Sequence, residues 1–157
     1  ALTMEIKIKK LHPGAKMPTY ATDGSTAFDL YALAVNSAYL VGDNVYPGHS
    51  ALCRTGLAFE IPEGHGMFIL SRSGHGFNDD TRLANCVGLL DFDYRGEAMV
   101  KLTCDHEDDE RPPLYVRPGD RIAQAVIIPV PRVNFTFADD LSNTARGTGG
   151  FGSTGKD

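Results

Sequence analysis

The chain has 157 residues, 42% of them hydrophobic and 22% charged, which fits one globular domain with a core and leaves little room for a second. Its net charge of −5 argues against broad, charge-driven binding to nucleic acid, although a few arginines could still converge on a small anion. No apolar run is long enough to span a bilayer and the first residues lack the order of a signal peptide, so we expect no membrane association and an intracellular location, in the cytoplasm, the nucleus or an organelle.

Short strands separated by turns are predicted along most of the chain. Seventeen glycines and nine prolines interrupt it every few residues, and Met4, Ile6 and Ile8 alternate with charged residues, as in a strand with one apolar face. Further strands are predicted over residues 52–61, 66–70, 98–104 and 121–130, with turns at 62–64 and 118–120. Because no segment reads as a long amphipathic helix, the pattern predicts an all-β fold, a sandwich or a jelly roll.

Two segments are predicted to be irregular. Residues 105–113 are acidic and end in two prolines, which favours a solvated hairpin loop, the place where a protein partner would first be sought. Residues 142–157 are polar and rich in glycine, without apolar periodicity, so we expect them to be mobile unless a ligand orders them. The prediction is a β domain over residues 1–141 and a flexible C-terminal arm over residues 142–157.

The cysteines exclude the common metal and redox motifs. Cys53, Cys86 and Cys104 are widely spaced, with no C-x-x-C and no His/Cys set at zinc-ligand spacing. We expect reduced thiols, mostly buried as small hydrophobic residues. The pattern also counts against a zinc-dependent nucleobase deaminase, which needs H-x-E and P-C-x-x-C.

The arm carries a glycine-rich motif, RGTGGFGSTG, at residues 146–155. Glycines let a backbone curl around a ligand with its N–H groups pointing inward. Arg146, Ser153 and Thr154 could contact phosphate beside the isolated aromatic Phe151, and a disordered tail is the alternative. Residues 150–156 also fit the start of a Walker A loop, but Asp157 stands where that motif needs Ser or Thr, so we expect no P-loop.

Polar residues follow two of the predicted strands. The segment SRSG at 71–74 could offer charged, hydroxyl and backbone donors to one phosphate group, or could be only a surface turn. In NCVGLLDFDYRG, residues 85–96, Asp91 follows an apolar run and could be held partly enclosed, where a carboxylate could take a proton from an attacking water. Ordinary turn chemistry is the alternative for Asp91, while Tyr94 could present an aromatic face to a ligand.

Two weaker candidates stand among apolar neighbours. Asp29 lies in FDL, after a turn at 22–25, and is either a carboxylate of a metal site or a structural one. Gln124 is a polar residue in the predicted strand 121–130.

Taken in order, five segments resemble the five sequence blocks of the trimeric dUTPase family. They read ATDGSTAFDLYA, ILSRSGHGF, NCVGLLDFDYRGE, GDRIAQAVI and RGTGGFGSTG, and they run from about Tyr20 to Gly155. Each block alone is moderately specific, whereas all five in order form a strong signal. The resemblance implies a distorted β jelly roll that assembles as a homotrimer, with active sites at the subunit interfaces.

The implied activity is that of a dUTP diphosphatase, which hydrolyses dUTP to dUMP and pyrophosphate, keeps uracil out of DNA and supplies dUMP for thymidylate synthesis. Asp91 matches the base that activates the water attacking the α-phosphorus. Asp29 matches the carboxylate that holds Mg²⁺ through water, and Gln124 matches a residue near the α-phosphate. Tyr94 matches the residue that packs under deoxyribose and leaves no room for a 2′-hydroxyl.

The other matched residues form three groups. Uracil would be read by Asn85, by the backbone of Gly88, Leu89 and Leu90, and by the backbone of Met99. The phosphates would be bound by Arg72, Ser73 and Gly74 of a neighbouring subunit. The arm would close over the ligand with Arg146, Phe151, Gly152, Ser153 and Thr154, Phe151 stacking on uracil.

Three positions depart from the family pattern. Ala27 stands where Gly is common, and a positive φ there would shift the loop near Asp29. His75 replaces an apolar residue and is either a packed edge residue or a pH-dependent contact near the phosphates. Phe92 replaces a small or polar residue and should face away from Asp91. A regulatory nucleotide-binding protein and a dCTP deaminase are the alternatives on this fold.

Overall fold

The structure, a computed structural model, describes residues 3–35, 50–105, 116–153 and 155, and the strand segments 40–41, 44–45 and 114–115. The described strands are Lys7–Lys10 (β1), Thr19–Tyr20 (β2), Phe28–Tyr31 (β3), Ala34–Val35 (β4), Leu40–Val41 (β5), Asn44–Val45 (β6), Ser50–Glu60 (β7), His65–Leu70 (β8), Thr81–Leu83 (β9), Gly88–Leu90 (β10), Glu97–Cys104 (β11), Leu114–Tyr115 (β12) and Arg121–Pro129 (β13). One helix is described, Ser73–Asp79 (α1). The expected all-β fold is confirmed.

The strands form two five-stranded antiparallel sheets and a smaller third one. The first sheet has the order β1-β7-β11-β9, with β4 also paired to β7, and the second has the order β10-β8-β13-β3-β2. The third contains β12, β6 and β5. Strand β13 is therefore central in the second sheet, between β8 and β3, whereas β10 lies at its edge.

The hydrophobic core lies between the two larger sheets and comes from alternate residues of their long strands. Strand β11 buries Ala98, Val100, Leu102 and Cys104, the two-residue period of a strand with one face inward. The second sheet contributes Leu30, Met67, Ile69, Ile122, Ala123 and Ala125. This arrangement is the sandwich that the alternation of apolar residues predicts.

Four predicted strands are found within two residues of their predicted bounds, as β7, β8, β11 and β13. The prediction at the N-terminus was less accurate, because β1 begins at Lys7 and Met4 is exposed. The physical reason is that its partner β7 ends at Glu60, opposite Lys7. Ile6 and Ile8 do pack against the core.

Glycines in the left-handed region make both predicted turns. Gly64 has φ +80° in the turn where His65 N–H donates to the Pro62 carbonyl at 3.1 Å. Gly119 has φ +93° in the turn before β13. Residues 106–113 of the predicted acidic loop lie outside the described residues.

The thiols largely follow the expectation. Cys53 and Cys104 are buried, Cys86 is exposed, and all three are thiols that are not joined in disulfides. Burial, with a smaller contribution from Asp120, raises the pKa of Cys53 to about 12, so this thiol stays protonated and unreactive. Among the described residues, no helix has the length and apolar character needed to cross a membrane.

Candidate active site

Three of the predicted site segments meet on the central strand of the second sheet. Gln124 of β13 lies opposite Leu70 of β8 on one side and opposite Asp29 of β3 on the other. Arg72 follows β8 by two residues. The sheet register therefore brings a carboxylate, an amide and a guanidinium together, although they are far apart in the sequence.

Asp29 lies between two arginines. Its Oδ1 is 4.0 Å from Arg72 Nε and its Oδ2 is 3.5 Å from Arg121 Nη1, and the carboxylate is only 13% exposed. Arg72 Nη1 also donates a hydrogen bond to the Arg121 carbonyl at 3.2 Å. Because two guanidinium groups face one carboxylate, the cluster keeps a surplus positive charge that suits an anionic ligand.

The same geometry limits how Asp29 could serve a metal ion. Among the described residues, no group of three or more His, Cys, Asp or Glu side chains could hold a metal. Mg²⁺ usually keeps several waters and takes one or two carboxylates together with substrate phosphates. Asp29 alone fits only that outer role, in which the contact passes through water and the substrate phosphates are the direct ligands.

Ser71 connects the phosphate-binding segment to two other strands, a role that the sequence did not reveal. Its carbonyl accepts a hydrogen bond from Gln124 Nε2 at 3.0 Å, and its hydroxyl accepts one from the Leu83 N–H at 3.0 Å. Ser71 thus links the end of β8 to β13 and to β9, which leads to Asn85. Its partners are 53 and 12 residues away in the sequence, so local patterns could not identify it.

The segment predicted as a turn at 71–74 is partly helical. Arg72 is the N-cap of α1, and the Gly76 N–H donates to the Arg72 carbonyl at 3.0 Å. Ser73 and Gly74 therefore lie in the first turn of α1, with Ser73 exposed and Gly74 half-buried. The two glycines in SGHGFND lower helix propensity, which is why the sequence did not predict this element.

The predicted uracil-binding residues lie in β10 and in the connection that leads to it from β9, except Met99, which lies in β11. Cys86 has φ +66°, and the Val87 N–H donates to the Asn85 carbonyl at 2.7 Å, a tight turn that leaves Asn85 exposed. A Cβ added at Gly88 would lie 3.2 Å from Ile69 Cβ, so glycine allows β10 to approach β8 closely. Leu89 is 63% exposed and Met99 46% exposed, while Leu90 is half-buried.

Asp91 directly follows β10 and is exposed in this chain. The expectation of a partly enclosed carboxylate is therefore wrong for the single chain. The reason is that β10 is an edge strand, so no described neighbour covers the turn that follows it. Within this turn the Tyr94 N–H donates to the Asp91 carbonyl at 3.2 Å.

Asp91 and Arg72 lie at opposite ends of the same strand pair. Leu90 pairs with Met67, whereas Arg72 lies five residues further along the chain, beyond the end of β8. A strand rises about 3.3 Å per residue, so roughly 15–20 Å separates the two within one chain. The predicted base and the predicted phosphate-binding arginine therefore lie far apart for action on the same phosphate from one chain.

The C-terminal arm projects from the sandwich as a series of exposed turns. Gly147 and Gly152 have positive φ, and so does Phe151, whose side chain is fully exposed. Arg146 Nε donates to the Gly149 carbonyl at 2.7 Å, and the Ser153 N–H donates to the Gly150 carbonyl at 3.0 Å. Thr154, also predicted to contact phosphate, lies outside the described residues.

Two of the three departures from the family pattern are accommodated without strain. Ala27 is not among the described residues with positive φ, so its methyl group does not shift the loop before Asp29. Phe92 is 36% exposed and lines a surface groove with Glu60, Pro62 and other residues.

His75 has an unusual environment beside Arg72. Its Nδ1 is buried and has no hydrogen-bond partner among the described residues. Burial and the charge of Arg72 lower the pKa of His75 below its ordinary value of 6.5, although Asp79 and Asp120 partly oppose this. The imidazole is therefore neutral at neutral pH.

We predict that His75 makes the protein less stable in mild acid. As the pH falls through 6.5, the unfolded chain takes up a proton at His75 while the folded chain does not, so the free energy of unfolding decreases until the lowered pKa is passed. His75→Leu should remove this loss. Thermal unfolding from about pH 7.5 to about pH 5 would measure it; parallel curves for the two proteins would contradict the prediction.

Comparisons with known proteins indicate the family and the fold of the chain. A family model described as dUTPase matches residues 14–155. The deoxyuridine 5'-triphosphate nucleotidohydrolase of Hahella chejuensis is 41% identical over 156 residues, covering 99% of this chain and 97% of the relative. The protein of the same name from Helicobacter pylori is 39% identical over 153 residues, covering 97% of both. The structure of Staphylococcus bacteriophage 80alpha dUTPase with dUPNHPP has a TM-score of 0.82 at 25% identity, over 98% of this chain and 100% of that one.

Proposed function

The chain belongs to the dUTPase family, and we propose on this basis that it hydrolyses dUTP to dUMP and pyrophosphate with Asp91 as the general base. The observation that carries this conclusion is the extent of the family match, which runs from residue 14 to residue 155 and so includes all five sequence blocks. The enzyme is a dUTP diphosphatase, a hydrolase of nucleotide metabolism.

In the proposed reaction Asp91 accepts a proton from the water that attacks the α-phosphorus. The bond between that phosphorus and the oxygen bridging to the β-phosphate breaks, dUMP forms, and pyrophosphate leaves with the bridging oxygen. The exposure of Asp91 after an edge strand supports this role, because a substrate and its water can reach the carboxylate. Most of the remaining catalysis then consists of positioning and charge stabilisation.

The base and the sugar would be recognised around β10 and β11. Asn85 and the backbone of Gly88, Leu89, Leu90 and Met99 would form hydrogen bonds with uracil, and the Tyr94 ring would pack under the deoxyribose. Burying a hydrogen-bonding group of a base without a matching partner costs much binding free energy. A pocket whose donors and acceptors match uracil would therefore disfavour cytosine. A narrow pocket formed by this hairpin would also reject thymine by its 5-methyl group.

The phosphates would be bound by Arg72, Ser73 and Gly74, with Gln124 near the α-phosphate. The contacts of Arg72 to Asp29 and to the Arg121 carbonyl support this assignment, since they hold the guanidinium in place before a ligand binds. Gln124 uses one N–H on the Ser71 carbonyl, so its second amide hydrogen and its oxygen are the groups it would offer to a phosphate or a water.

A homotrimer would complete each site from several chains. The separation of Asp91 from Arg72 within one chain supports this, because a second chain would have to supply the phosphate-binding arginine. The segment between β13 and the arm supports it as well, since Phe135, Phe137 and Leu141 are 90%, 108% and 88% exposed in the single chain. Apolar exposure of this kind marks a surface that a partner covers. The arm would then bring Arg146, Phe151, Gly152, Ser153 and Thr154 to a site on a neighbouring subunit.

We further propose Mg²⁺ as the metal, held mainly by the triphosphate and by Asp29 through water. When bound, the ion would offset the charge of the phosphates. With EDTA present we expect dUTP hydrolysis to fall by about tenfold or more, and added Mg²⁺ to restore it. The melting temperature should not change with EDTA, because the described residues offer no protein-only metal cage. Full activity in EDTA would contradict the metal requirement.

The test of the proposed function is pyrophosphate release from dUTP with Mg²⁺, with dTTP, dCTP and UTP assayed in parallel. Release from dUTP alone would support the reaction and both kinds of specificity, for the base and for the sugar. Ammonia release from dCTP would identify a deaminase instead. Binding of dUTP without release of any product would indicate a regulatory nucleotide-binding protein.

A further inference from the structure

The Tyr94 ring packs against the backbone at the start of β11, where Gly96 and Glu97 have no assigned role. We propose that Gly96 and Glu97 are positioning residues that fix the Tyr94 ring and thereby set the discrimination between deoxyribose and ribose. This inference rests on the proposed function, in which the Tyr94 ring packs under the sugar.

The Tyr94 ring is held against the backbone on one side. Its hydroxyl donates a hydrogen bond to the Glu97 carbonyl at 3.0 Å. A Cβ added at Gly96 would overlap the Tyr94 hydroxyl oxygen and would lie 2.5 Å from Cζ and 2.9 Å from Cε2. The ring therefore occupies the space that any other residue at position 96 would need. Gly96 has no positive φ, so this requirement is purely steric.

The Glu97 carboxylate anchors the backbone to which Tyr94 is bonded. It accepts hydrogen bonds from Arg54 Nε at 3.1 Å, from Arg54 Nη2 at 2.8 Å and from the Gly56 N–H at 3.0 Å, and it is only 11% exposed. Burial alone would raise the pKa of Glu97, but the hydrogen bonds from Arg54 and Gly56 lower it below its ordinary value. The carboxylate is therefore charged at neutral pH and held by two residues of β7.

The backbone that Glu97 anchors, at the start of β11, pairs irregularly with β7. The pairing of β11 with β7 shifts register between Glu97 and Met99. Inside this irregularity the buried Thr55 hydroxyl donates to the Ala98 carbonyl at 2.6 Å. Irregular pairing of this kind re-aims the side chains next to it. Here the irregular stretch begins three residues after Tyr94 and includes Met99. The proposed function places Tyr94 against the sugar and Met99 against the base.

The ring position matters because a steric exclusion of the 2′-hydroxyl depends on small distances. A misplacement of about 1 Å can cost on the order of 100-fold in an enzyme reaction. If the ring moves away from Gly96, space for a hydroxyl opens or the support under deoxyribose is lost. Either change reduces the preference for dUTP over UTP without removing Asp91 or Arg72.

Three variants test this, each by kcat and KM for dUTP and for UTP. Gly96→Ala should displace the ring and lower the dUTP/UTP ratio of kcat/KM by about tenfold or more, mainly through KM. Tyr94→Phe removes the hydrogen bond to the Glu97 carbonyl, and Glu97→Gln loosens the anchor, so both should change the ratio in the same direction by a smaller factor. Glu63→Gln, an exposed Glu in the turn before β8, is the matched control and should leave the ratio unchanged.

The double variant Tyr94→Phe with Glu97→Gln separates positioning from general loosening of the fold. If Glu97 acts through Tyr94, the two changes in the dUTP/UTP ratio are not additive. Variants that fold with the wild-type melting temperature and keep the wild-type ratio would overturn the inference, as would fully additive effects. If Glu97→Gln does not fold, the dUTP/UTP ratios of Gly96→Ala and Tyr94→Phe still test the inference. A wild-type protein that does not hydrolyse dUTP would overturn the proposed function as well, which distinguishes the two failures.

Discussion

Replacing Asp91 with Asn is expected to lower the turnover of dUTP by about 10²–10⁴-fold, the usual contribution of a general base. Asn has nearly the size of Asp but cannot accept the proton of the attacking water. The backbone contact between the Asp91 carbonyl and the Tyr94 N–H does not depend on the side chain, so the turn should persist. We therefore expect dUTP to bind with little change in affinity, as titration calorimetry in the presence of Mg²⁺ would show.

Asp93→Asn is the matched control for this experiment. Asp93 lies two residues away in the same exposed turn and has no place in the proposed chemistry. It should therefore retain most of the turnover. Near-normal single-turnover rates for Asp91→Asn, or an equal loss in both variants, would contradict the assignment of Asp91 as the base. In the second case the carboxylates would matter only for the shape or charge of the turn.

The long strands of the fold were predictable from local patterns, whereas the short elements were not. Strand β11 has strict alternation over eight residues, and β13 follows a turn that begins at a proline, so both were found from the sequence. Helix α1 contains two glycines and buries no residue, so it has neither the propensity nor the apolar periodicity of a helix. The formation of α1 therefore depends on its contacts with the rest of the fold and not on its own sequence.

The identities of the candidate site residues were predictable, but their contacts were not. Family motifs indicated Arg72, Asp29 and Gln124. Their arrangement depends on the register of β13 with β8 and β3, which no local pattern specifies. The anchor of Glu97 on Arg54 joins residues 43 apart in the sequence, so it too required the sheet. For Asp91 the expectation from the sequence was wrong. The apolar stretch before it suggested an enclosed carboxylate, but this stretch forms an edge strand, and Asp91 after it is exposed.

Deleting residues 146–157 is expected to leave a folded protein with little activity. The fold should persist because the described core ends before the arm, and the Arg146 side chain donates its hydrogen bond to Gly149, within the arm itself. We expect a free energy of unfolding within about 0.5 kcal/mol of the wild-type value, as for other changes in exposed groups. Chemical denaturation and light scattering would measure the stability and the assembly of the truncated chain.

The loss of activity follows from what the arm contributes to the bound state. Phe151 is fully exposed without ligand, so its aromatic face is available to stack on a base, which contributes about 1–3 kcal/mol in comparable cases. A segment that closes over a substrate also excludes water and completes the set of charged contacts, so kcat should fall by about 100-fold or more. Phe151→Ala alone should remove only the stacking contribution and lower kcat/KM by about tenfold. A truncated protein that unfolds would make the arm structural, and one that keeps full kcat would show that the site is complete without it.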